Sequence, residues 1–234
     1  MTGIFDFHTH ILPGIDDGSR SVGESLALIE ELTCQGAKGI AATPHFYAQH
    51  MMPEDFFARR QAACELLLPY LSEDAPEIRP GAEVLYFEGI HRYEHLERFC
   101  LHGSSLLLVE MPMQEWTSRM VSALLEINRR GDMVVLLAHI ERYLPYHNKK
   151  ALEQMLENGV LMQASTDFVI DKPAKAVKML KQGRIHFLGT DCHNMDSRRP
   201  NMKQALEIIR GKAGNELIYA LNEREAWYLD ENKT

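Results

Sequence analysis

Residues 6–18 read Asp-Phe-His-Thr-His-Ile-Leu-Pro-Gly-Ile-Asp-Asp-Gly and continue a short apolar run near the start of the chain. The apolar run predicts a buried strand. Because residues two apart on a strand share a face, His8 and His10 are expected to point to one place where the strand ends. The proline and glycines that follow predict a loop carrying Asp16 and Asp17. Two imidazoles and a carboxylate suit a divalent metal ion, although this stretch alone is equally compatible with one packed and one solvated histidine.

The same alternation of a short apolar run and a helical pattern recurs along the whole chain. Glycines such as Gly36 and Gly131 stand where the helical patterns are expected to end. Strands that alternate with helices imply a parallel sheet covered by helices. The seven predicted strands lie at residues 4–7, 39–43, 78–86, 106–109, 133–138, 160–165 and 185–189.

The predicted order of elements favours an α/β barrel. The chain is close to the ~250 residues typical of a (β/α) barrel, with a doubly wound open sheet as the alternative architecture. No glycine-rich phosphate loop follows the first strand, which counts against a nucleotide-binding open sheet. We expect a single domain spanning residues 1–234, because no linker divides the chain.

The composition limits the classes of function. With 234 residues, 45% of them hydrophobic, the chain is globular. A net charge of −8 disfavours a broad nucleic-acid surface. The apolar runs are too short to cross a bilayer, no signal peptide precedes them, and the four cysteines lack paired spacing. These features predict a cytoplasmic protein with reduced thiols, no membrane insertion and no nucleic-acid partner.

Side chains of the types that bind metals stand at the ends of six predicted strands. Each alone has an ordinary explanation, as a solvated carboxylate or a packed histidine. However, active sites of parallel barrels are built at the carboxyl ends of the strands, so the pattern predicts a multinuclear metal site there. The sixth strand offers only Gln163 and Ser165. The nine candidate ligands are His8, His10, Asp17, His45, Glu83, Glu110, His139, Asp191 and His193.

The ligand types narrow the metal and the reaction. Imidazoles and carboxylates without thiolate suit manganese, iron or zinc better than magnesium or calcium. Nine ligands are more than one ion needs, and a carboxylate can be shared between two ions. A cluster of ions lowers the pKa of bound water, so hydrolysis is the favoured class of reaction. Arg142 lies three residues after His139, and Arg198 lies five after His193. Their planar charged groups suit a phosphate, although both are also compatible with a solvated surface, and the adjacent Arg199 is a weaker candidate.

Cys192 and Arg198 satisfy the Cys-x5-Arg spacing of thiol-based tyrosine phosphatases. On a strand, Cys192 would face away from its neighbours Asp191 and His193. The loop between the cysteine and the arginine has no glycine, and it carries a carboxylate (Asp196) that would repel a phosphate. We therefore expect metal-dependent rather than thiol-dependent catalysis.

Taken together, these motifs resemble the PHP (polymerase and histidinol phosphatase) superfamily over nearly the whole chain, from Ile4 to about Leu221. The Ile-Asp-Asp-Gly loop, the run from His139 to Arg142 and the Asp-x-His-Asn motif resemble more narrowly its metal-dependent protein-tyrosine phosphatases of bacterial capsule and exopolysaccharide systems. The matching stretches are His8-Thr9-His10, Ile15-Asp16-Asp17-Gly18, Thr43-Pro44-His45, Gly81-Ala82-Glu83, Glu110, Ala138-His139-Ile140-Glu141-Arg142 and Asp191-Cys192-His193-Asn194.

The resemblance implies a distorted seven-stranded, TIM-like (β/α)7 barrel that holds three divalent metal ions, often manganese. It further implies that Arg142 and Arg198 bind the phosphoryl group. The implied substrate is phosphotyrosine on a bacterial tyrosine kinase that controls polysaccharide export. Carried over by position, the first ion would be held by His8, His10, Glu83 and Asp191, the second by Glu83, Glu110 and His139, and the third by Asp17, His45 and His193.

Two other functions remain open at this point. One is a small-molecule phosphomonoesterase of the histidinol-phosphatase type on the same scaffold. The other is a non-catalytic, metal-binding regulatory subunit, which a complete set of candidate ligands disfavours.

Overall fold

The computed structural model of the chain describes residues 3–230. Within this range the strands are β1 (Ile4–Thr9), β2 (Ala37–Ala42), β3 (His45–Phe46), β4 (Glu77–Pro80), β5 (Glu83–Leu85), β6 (Leu106–Glu110), β7 (Val134–Leu137), β8 (Leu161–Ser165) and β9 (Phe187–Gly189). The helices are α1 (Val22–Cys34), α2 (Pro53–Leu67), α3 (Ser118–Arg130), α4 (Ile140–Tyr143), α5 (Lys149–Glu157), α6 (Thr166–Asp171), α7 (Pro173–Lys181), α8 (Met202–Ala213) and α9 (Asn215–Tyr228).

The paired strands are parallel and form two sheets. The larger sheet has the order β3-β5-β6-β7-β8-β9, and the smaller has the order β1-β2-β4. The sheet curls so that the segment after β9 meets the end of β1. There the amide of Asp191 donates to the carbonyl of His8 (2.8 Å), and the amide of His10 donates to the carbonyl of Cys192 (2.9 Å). The predicted α/β fold with a curled parallel sheet is therefore confirmed, and this contact distinguishes it from an open doubly wound sheet.

The prediction of one strand over residues 78–86 is wrong. The structure divides this stretch into β4 and β5, and a second break at Thr43 and Pro44 separates β2 from β3. Proline has no N–H to donate to a neighbouring strand, which favours a break. Across the two breaks, the amide of Gly81 donates to the carbonyl of Ala42 (2.8 Å) and the amide of Glu83 donates to the carbonyl of Pro44 (3.0 Å). The interrupted strands therefore stay side by side and bend together.

The strands are buried on both faces, which explains their nearly continuous apolar sequence. On β6, Leu106 and Leu108 belong to a small apolar cluster with Phe7 and Phe187, whereas the alternate residues Leu107 and Val109 belong to the larger cluster formed with the helices. The rings of Phe7 and Phe187 stack with centroids 4.0 Å apart. His8 directly follows Phe7, so this packing holds the strand end that carries the first candidate ligands.

The helices begin and end where local chemistry favours it. The hydroxyl of Ser21 accepts a hydrogen bond from the amide of Glu24 (3.2 Å) and caps α1. Pro53 is the first residue of α2, and Gly131 ends α3 with a φ of 80°. Among residues 3–230, no helix combines the length and the hydropathy that crossing a bilayer requires.

Candidate metal centre

The nine candidate ligands lie together at one edge of the curled sheet. Seven of them lie at or after the carboxyl ends of β1, β6, β7 and β9, whereas His45 and Glu83 are the first residues of the short strands β3 and β5, just beyond the ends of β2 and β4. Their ligand atoms form four overlapping groups, within each of which the atoms lie within 4.8 Å of one another. Because the groups share members, they make one continuous cluster, called the metal centre below. The groups are His10–Asp17–His45–His193, His8–His10–Asp191, His8–Glu83–His139 and His45–Glu83–Glu110.

The inner part of the metal centre consists of His8, His10, Glu83, His139 and Asp191, all of which are buried. The Nε2 atoms of His8 and His10 are 3.1 Å apart. Oε2 of Glu83 lies 3.1 Å from Nε2 of His8 and 3.4 Å from Nε2 of His10, while its Oε1 lies 3.2 Å from Nε2 of His139. Oδ1 of Asp191 is 3.4 Å from Nε2 of His10. Side chains from separate strands thus converge on a small buried volume.

Several buried atoms of the metal centre lack a hydrogen-bond partner within residues 3–230. They include both carboxylate oxygens of Glu83, Oδ1 of Asp191 and Nε2 of His193. These oxygens lie near imidazoles, but not in hydrogen-bonding geometry. A buried carboxylate without hydrogen-bond partners destabilises the folded chain, and a bound cation would offset this cost. The donor atoms, all imidazole nitrogen or carboxylate oxygen, fit divalent ions such as manganese, iron or zinc.

The inner carboxyl groups are held in the ionised form. Burial acts to raise the pKa of Glu83, but the charge of His8 and contacts with other imidazoles hold it well below its usual range. The pKa of Asp191 is likewise lowered against burial, chiefly by His8 and His10. In return, Glu83 and Asp191 raise the pKa of His8 against burial, and a hydrogen bond with Asp16, followed by contacts with Asp191 and Glu83, raises the pKa of His10. The carboxylate is the form that binds metals, so both acids have the required charge.

The outer part of the metal centre consists of Asp17, His45, Glu110 and His193. The side chain of Asp17 is 64% exposed, and its Oδ1 lies 3.4 Å from Nε2 of both His45 and His193. Nδ1 of His193 donates to the carbonyl of Asp191 (2.9 Å), which leaves Nε2 facing Asp17. Burial and the charge of Glu83 raise the pKa of Glu110. This part is more open to solvent than the inner part.

Arg142 and Arg198, the predicted phosphate-binding residues, meet at one oxygen of the metal centre. Their Nη2 atoms lie 2.7 Å and 2.6 Å from Oδ2 of Asp191, respectively. Nη1 of Arg142 also donates to Oε1 of Glu110 (3.3 Å). Both arginines line a cavity of about 540 Å³ into which the metal centre opens, and Arg199 lines the same cavity. The structure therefore brings the positive charges and the candidate ligands to one cavity.

Two ligands of the inner part have strained backbones. His139 and Asp191 have φ angles of 52° and 53°. These angles lie in the left-handed region, which residues other than glycine rarely adopt. The amide of His139 donates to Oε1 of Gln163 (3.0 Å), and the amide of Asp191 donates to the carbonyl of His8. Such strain costs about 1–3 kcal/mol and persists where the surrounding structure enforces it, typically at functional sites.

Two residues that shape the site were given no role in the sequence analysis. Oδ1 of Asn194 accepts hydrogen bonds from the amides of Asp196, Ser197 and Arg198 (3.0, 2.8 and 3.2 Å) and so forms the turn that carries Arg198. An asparagine opening a polar loop is a typical turn signal that could have indicated this. Tyr47, in the loop after β3, stacks on the imidazole of His45 with centroids 5.1 Å apart.

Cys192 does not face the cavity. Its side chain is fully buried in the larger apolar cluster, and it is not among the residues that line the cavity. Burial strongly raises the pKa of its thiol, which disfavours the reactive thiolate. The geometry therefore agrees with the expectation that the Cys-x5-Arg spacing is coincidental.

A curled parallel α/β sheet with carboxylates, imidazoles and two arginines converging at its carboxyl edge defines a metal-dependent hydrolase of phosphate esters. The chain belongs to the CpsB/CapC family of capsular polysaccharide synthesis, whose sequence profile matches residues 4–227. The resemblance to phosphatases of capsule systems is thereby confirmed.

Individual relatives agree with the family assignment. The tyrosine-protein phosphatase YwqE of Bacillus subtilis (strain 168) is 28% identical over 239 residues, which cover 99% of this chain and 93% of that protein. The tyrosine-protein phosphatase CpsB of Streptococcus pneumoniae is 30% identical over 230 residues, which cover 90% of this chain and 91% of that protein.

Solved structures show the same fold. A crystal structure from a study of YwqE and CpsB, described as unique metal-dependent tyrosine phosphatases, superposes with a TM-score of 0.83 at 23% identity, covering 97% of this chain and 95% of that chain. The phosphotriesterase homology protein of Escherichia coli, complexed with phosphate in its active site, has a TM-score of 0.52 at 9% identity, with coverage of 97% and 99%.

Proposed function

We propose that this chain is a metal-dependent protein-tyrosine phosphatase. The observation that carries the proposal is the meeting of Arg142 and Arg198 at Asp191, a residue that also belongs to the metal centre. A phosphate ester held by these two arginines would lie directly against the candidate metal ligands. The names of the relatives, which are tyrosine-protein phosphatases, support phosphotyrosine as the substrate.

We propose that three divalent ions bind to the metal centre. Manganese is the favoured ion, with iron or zinc as alternatives. When bound, such ions act as Lewis acids on a phosphate ester and lower the pKa of water. The overlap of the four ligand groups supports several ions, because Glu83 belongs to two groups and His10 to two. The proposed sets are His8, His10, Glu83 and Asp191 for the first ion, Glu83, Glu110 and His139 for the second, and Asp17, His45 and His193 for the third.

The chain's own residues bind and orient the substrate. Arg142 and Arg198 would bind the nonbridging phosphate oxygens, over which the negative charge is spread in the transition state. Asp191 holds both guanidinium groups in place through Oδ2, which leaves Oδ1 for the metal centre. A phenolate leaving group has a pKa near 10, which lowers the need for a general acid compared with an alkoxide. We therefore assign no protein side chain to that role.

The wider biological setting is part of the proposal. Membership in a capsular polysaccharide synthesis family supports a phosphoprotein substrate, and we propose a bacterial tyrosine kinase that controls polysaccharide export. We further propose a cytoplasmic location and one domain over residues 1–234. The barrel would count seven strands if β2 with β3, and β4 with β5, are each one interrupted strand, which the hydrogen bonds across both breaks support.

The test combines metal analysis with an activity assay. The purified chain is analysed for bound metal and assayed on a phosphotyrosine peptide with and without a chelator. The proposal predicts bound transition metal and activity that chelation abolishes and Mn²⁺ restores. Faster hydrolysis of histidinol phosphate than of the peptide would favour the small-molecule phosphatase. Absence of both activities from the metal-loaded chain would favour the regulatory subunit.

A further inference from the structure

Asp16 is a buried carboxylate of the loop after β1 that the proposed ligand sets leave out. Its Oδ2 accepts a hydrogen bond from Nδ1 of His10 (2.7 Å) and another from the amide of His45 (3.0 Å). Its Oδ1 accepts from the amide of Gly18 (3.0 Å). The side chain is only 6% exposed. One carboxylate thus joins two candidate ligands to the loop that carries a third, Asp17.

The loop is shaped so that Asp16 can make these contacts. The amide of Ser19 donates to the carbonyl of His10 (3.0 Å), and the amide of Gly14 donates to the carbonyl of Ser19 (2.7 Å). A side chain at position 18 would collide with His10, so only glycine lets the loop close this tightly. Asp17, although exposed, is therefore held in a loop that is fixed at both ends and in the middle.

From this geometry we infer that Asp16 is a positioning residue for the metal centre, one that orients His10, His45 and Asp17 without binding an ion itself. The inference rests on the proposed metal sites. By accepting the proton of Nδ1, Asp16 leaves the lone pair of Nε2 on His10 facing His8, Glu83 and Asp191. A carboxylate that accepts from the second nitrogen of a ligand histidine fixes the ring and makes it a stronger ligand.

The test uses the substitution Asp16→Asn, which keeps the volume but leaves one acceptor oxygen for three donors. The matched control is Glu225→Gln. Glu225 is also a buried carboxylate that accepts from a backbone amide, that of Phe5 (3.0 Å), but no histidine contacts it among the described residues. Mn²⁺ binding is measured by titration and by elemental analysis after dialysis, and thermal unfolding confirms that each variant is folded.

A second measurement isolates the positioning role from a general loss of structure. The proteins are loaded with diamagnetic Zn²⁺, and the imidazole signals of His10 are recorded by ¹H–¹⁵N NMR. The wild type is expected to show a hydrogen-bonded, slowly exchanging proton on Nδ1 of His10. In Asp16→Asn this proton should exchange rapidly with water and its signal should disappear, and Mn²⁺ binding at the weakened position should fall about 10- to 100-fold. The control should keep both properties.

The outcomes separate this inference from the proposed function. If folded Asp16→Asn binds Mn²⁺ as tightly as the wild type and keeps the His10 signal, Asp16 has no positioning role and the inference is wrong while the proposed function stands. If the wild-type chain itself binds no Mn²⁺ or Zn²⁺, the proposed metal sites and the inference are both wrong. Reduced metal binding in Asp16→Asn alone supports the inference.

Discussion

The inner and outer parts of the metal centre contain the same types of side chain but are held in place differently. In the inner part, Glu83 and His139 are each about 1% exposed. Glu83 is the first residue of β5 and His139 follows the end of β7, so the sheet itself fixes them. In the outer part, Asp17 is 64% exposed and depends on a loop organised by Asp16. The difference shows that the sheet positions the inner part, whereas the position of Asp17 in the outer part depends on its loop.

The largest effect is expected from the centre of the inner part. Glu83→Ala removes the carboxylate that lies within reach of His8, His10 and His139. Loss of a shared ligand should lower kcat/KM on a phosphotyrosine peptide by at least about 10³-fold and reduce bound metal. Glu83→Gln, which keeps the volume, should lose nearly as much because the charge is required. Turnover near that of the wild type in either variant would contradict the assignment of Glu83 to the metal centre.

A buried carboxyl group remote from the centre provides the next contrast. Glu225 lies 2.9 Å from Nζ of Lys38, yet burial raises its pKa to about 7, whereas imidazoles lower the pKa of Glu83. The folded state therefore keeps the Glu225 proton at a pH where the unfolded chain has released it. Stability should fall by up to about 3 kcal/mol as the pH rises from 4.5 to above 7.

Urea unfolding at pH 5 and pH 8 measures this dependence. Other groups titrate as well, so the quantity of interest is the difference between the wild type and Glu225→Gln. Relative to the variant, the wild type should be more stable at pH 5 than at pH 8. An equal difference at both pH values would show that Glu225 is ionised throughout.

Substitution of the arginines that line the cavity should lower kcat/KM strongly, but less than substitution of Glu83. Arg142→Lys and Arg198→Lys keep a positive charge but lose the planar group that can bind two oxygens at once. We expect kcat/KM to fall about 100-fold in each variant, while bound metal stays at the wild-type level. Loss of metal from these variants would mean that the arginines support the metal centre rather than the substrate.

Substitutions in the outer part of the metal centre should lower activity less than substitutions in the inner part. Asp17→Asn is expected to lower activity about tenfold at limiting Mn²⁺, and excess Mn²⁺ should restore most of it, because the loop still presents an oxygen. Asp196→Asn is the matched control, since Asp196 is also an exposed carboxylate and lines the cavity beside the metal centre, outside the proposed ligand sets. If excess Mn²⁺ has no effect on Asp17→Asn, the outer part is as strictly required as the inner part and the contrast fails.

The smallest effect is expected at Cys192. Because its thiol is buried in the apolar cluster away from the cavity, Cys192→Ser should change kcat/KM by less than about twofold once folding is confirmed. Activity lost in a folded variant that retains its metal would revive the thiol mechanism.

The sequence predicted the inner part well because strand periodicity alone places residues such as His8 and His10 on one face. It also predicted the α/β fold, since apolar runs and helical spacing depend on local sequence. The end of the second strand before Pro44 was predicted, but the short strand β3 that follows it and the break at Gly81 were not. Asp17 was among the candidate ligands, but Asp16 was given no role, since which aspartate turns inward depends on how the loop folds. Such loop geometry arises from backbone contacts that residue types do not encode locally.

The convergence of Arg142 and Arg198 on one carboxylate oxygen was also beyond the sequence. Their positions after His139 and His193 indicated the correct edge of the sheet, but not a shared partner. That partner depends on the bend at Asp191 and on the turn that Asn194 forms. The most informative feature for the proposed function therefore came from tertiary structure.

The most direct test of the account is anomalous diffraction at the manganese edge from crystals grown with Mn²⁺. Three anomalous peaks are expected, each within bonding distance of its proposed ligand set, with the Glu83 carboxylate between two of them. Absence of peaks among the nine residues, or peaks bound only by other side chains, would contradict the claim that these residues form a metal centre.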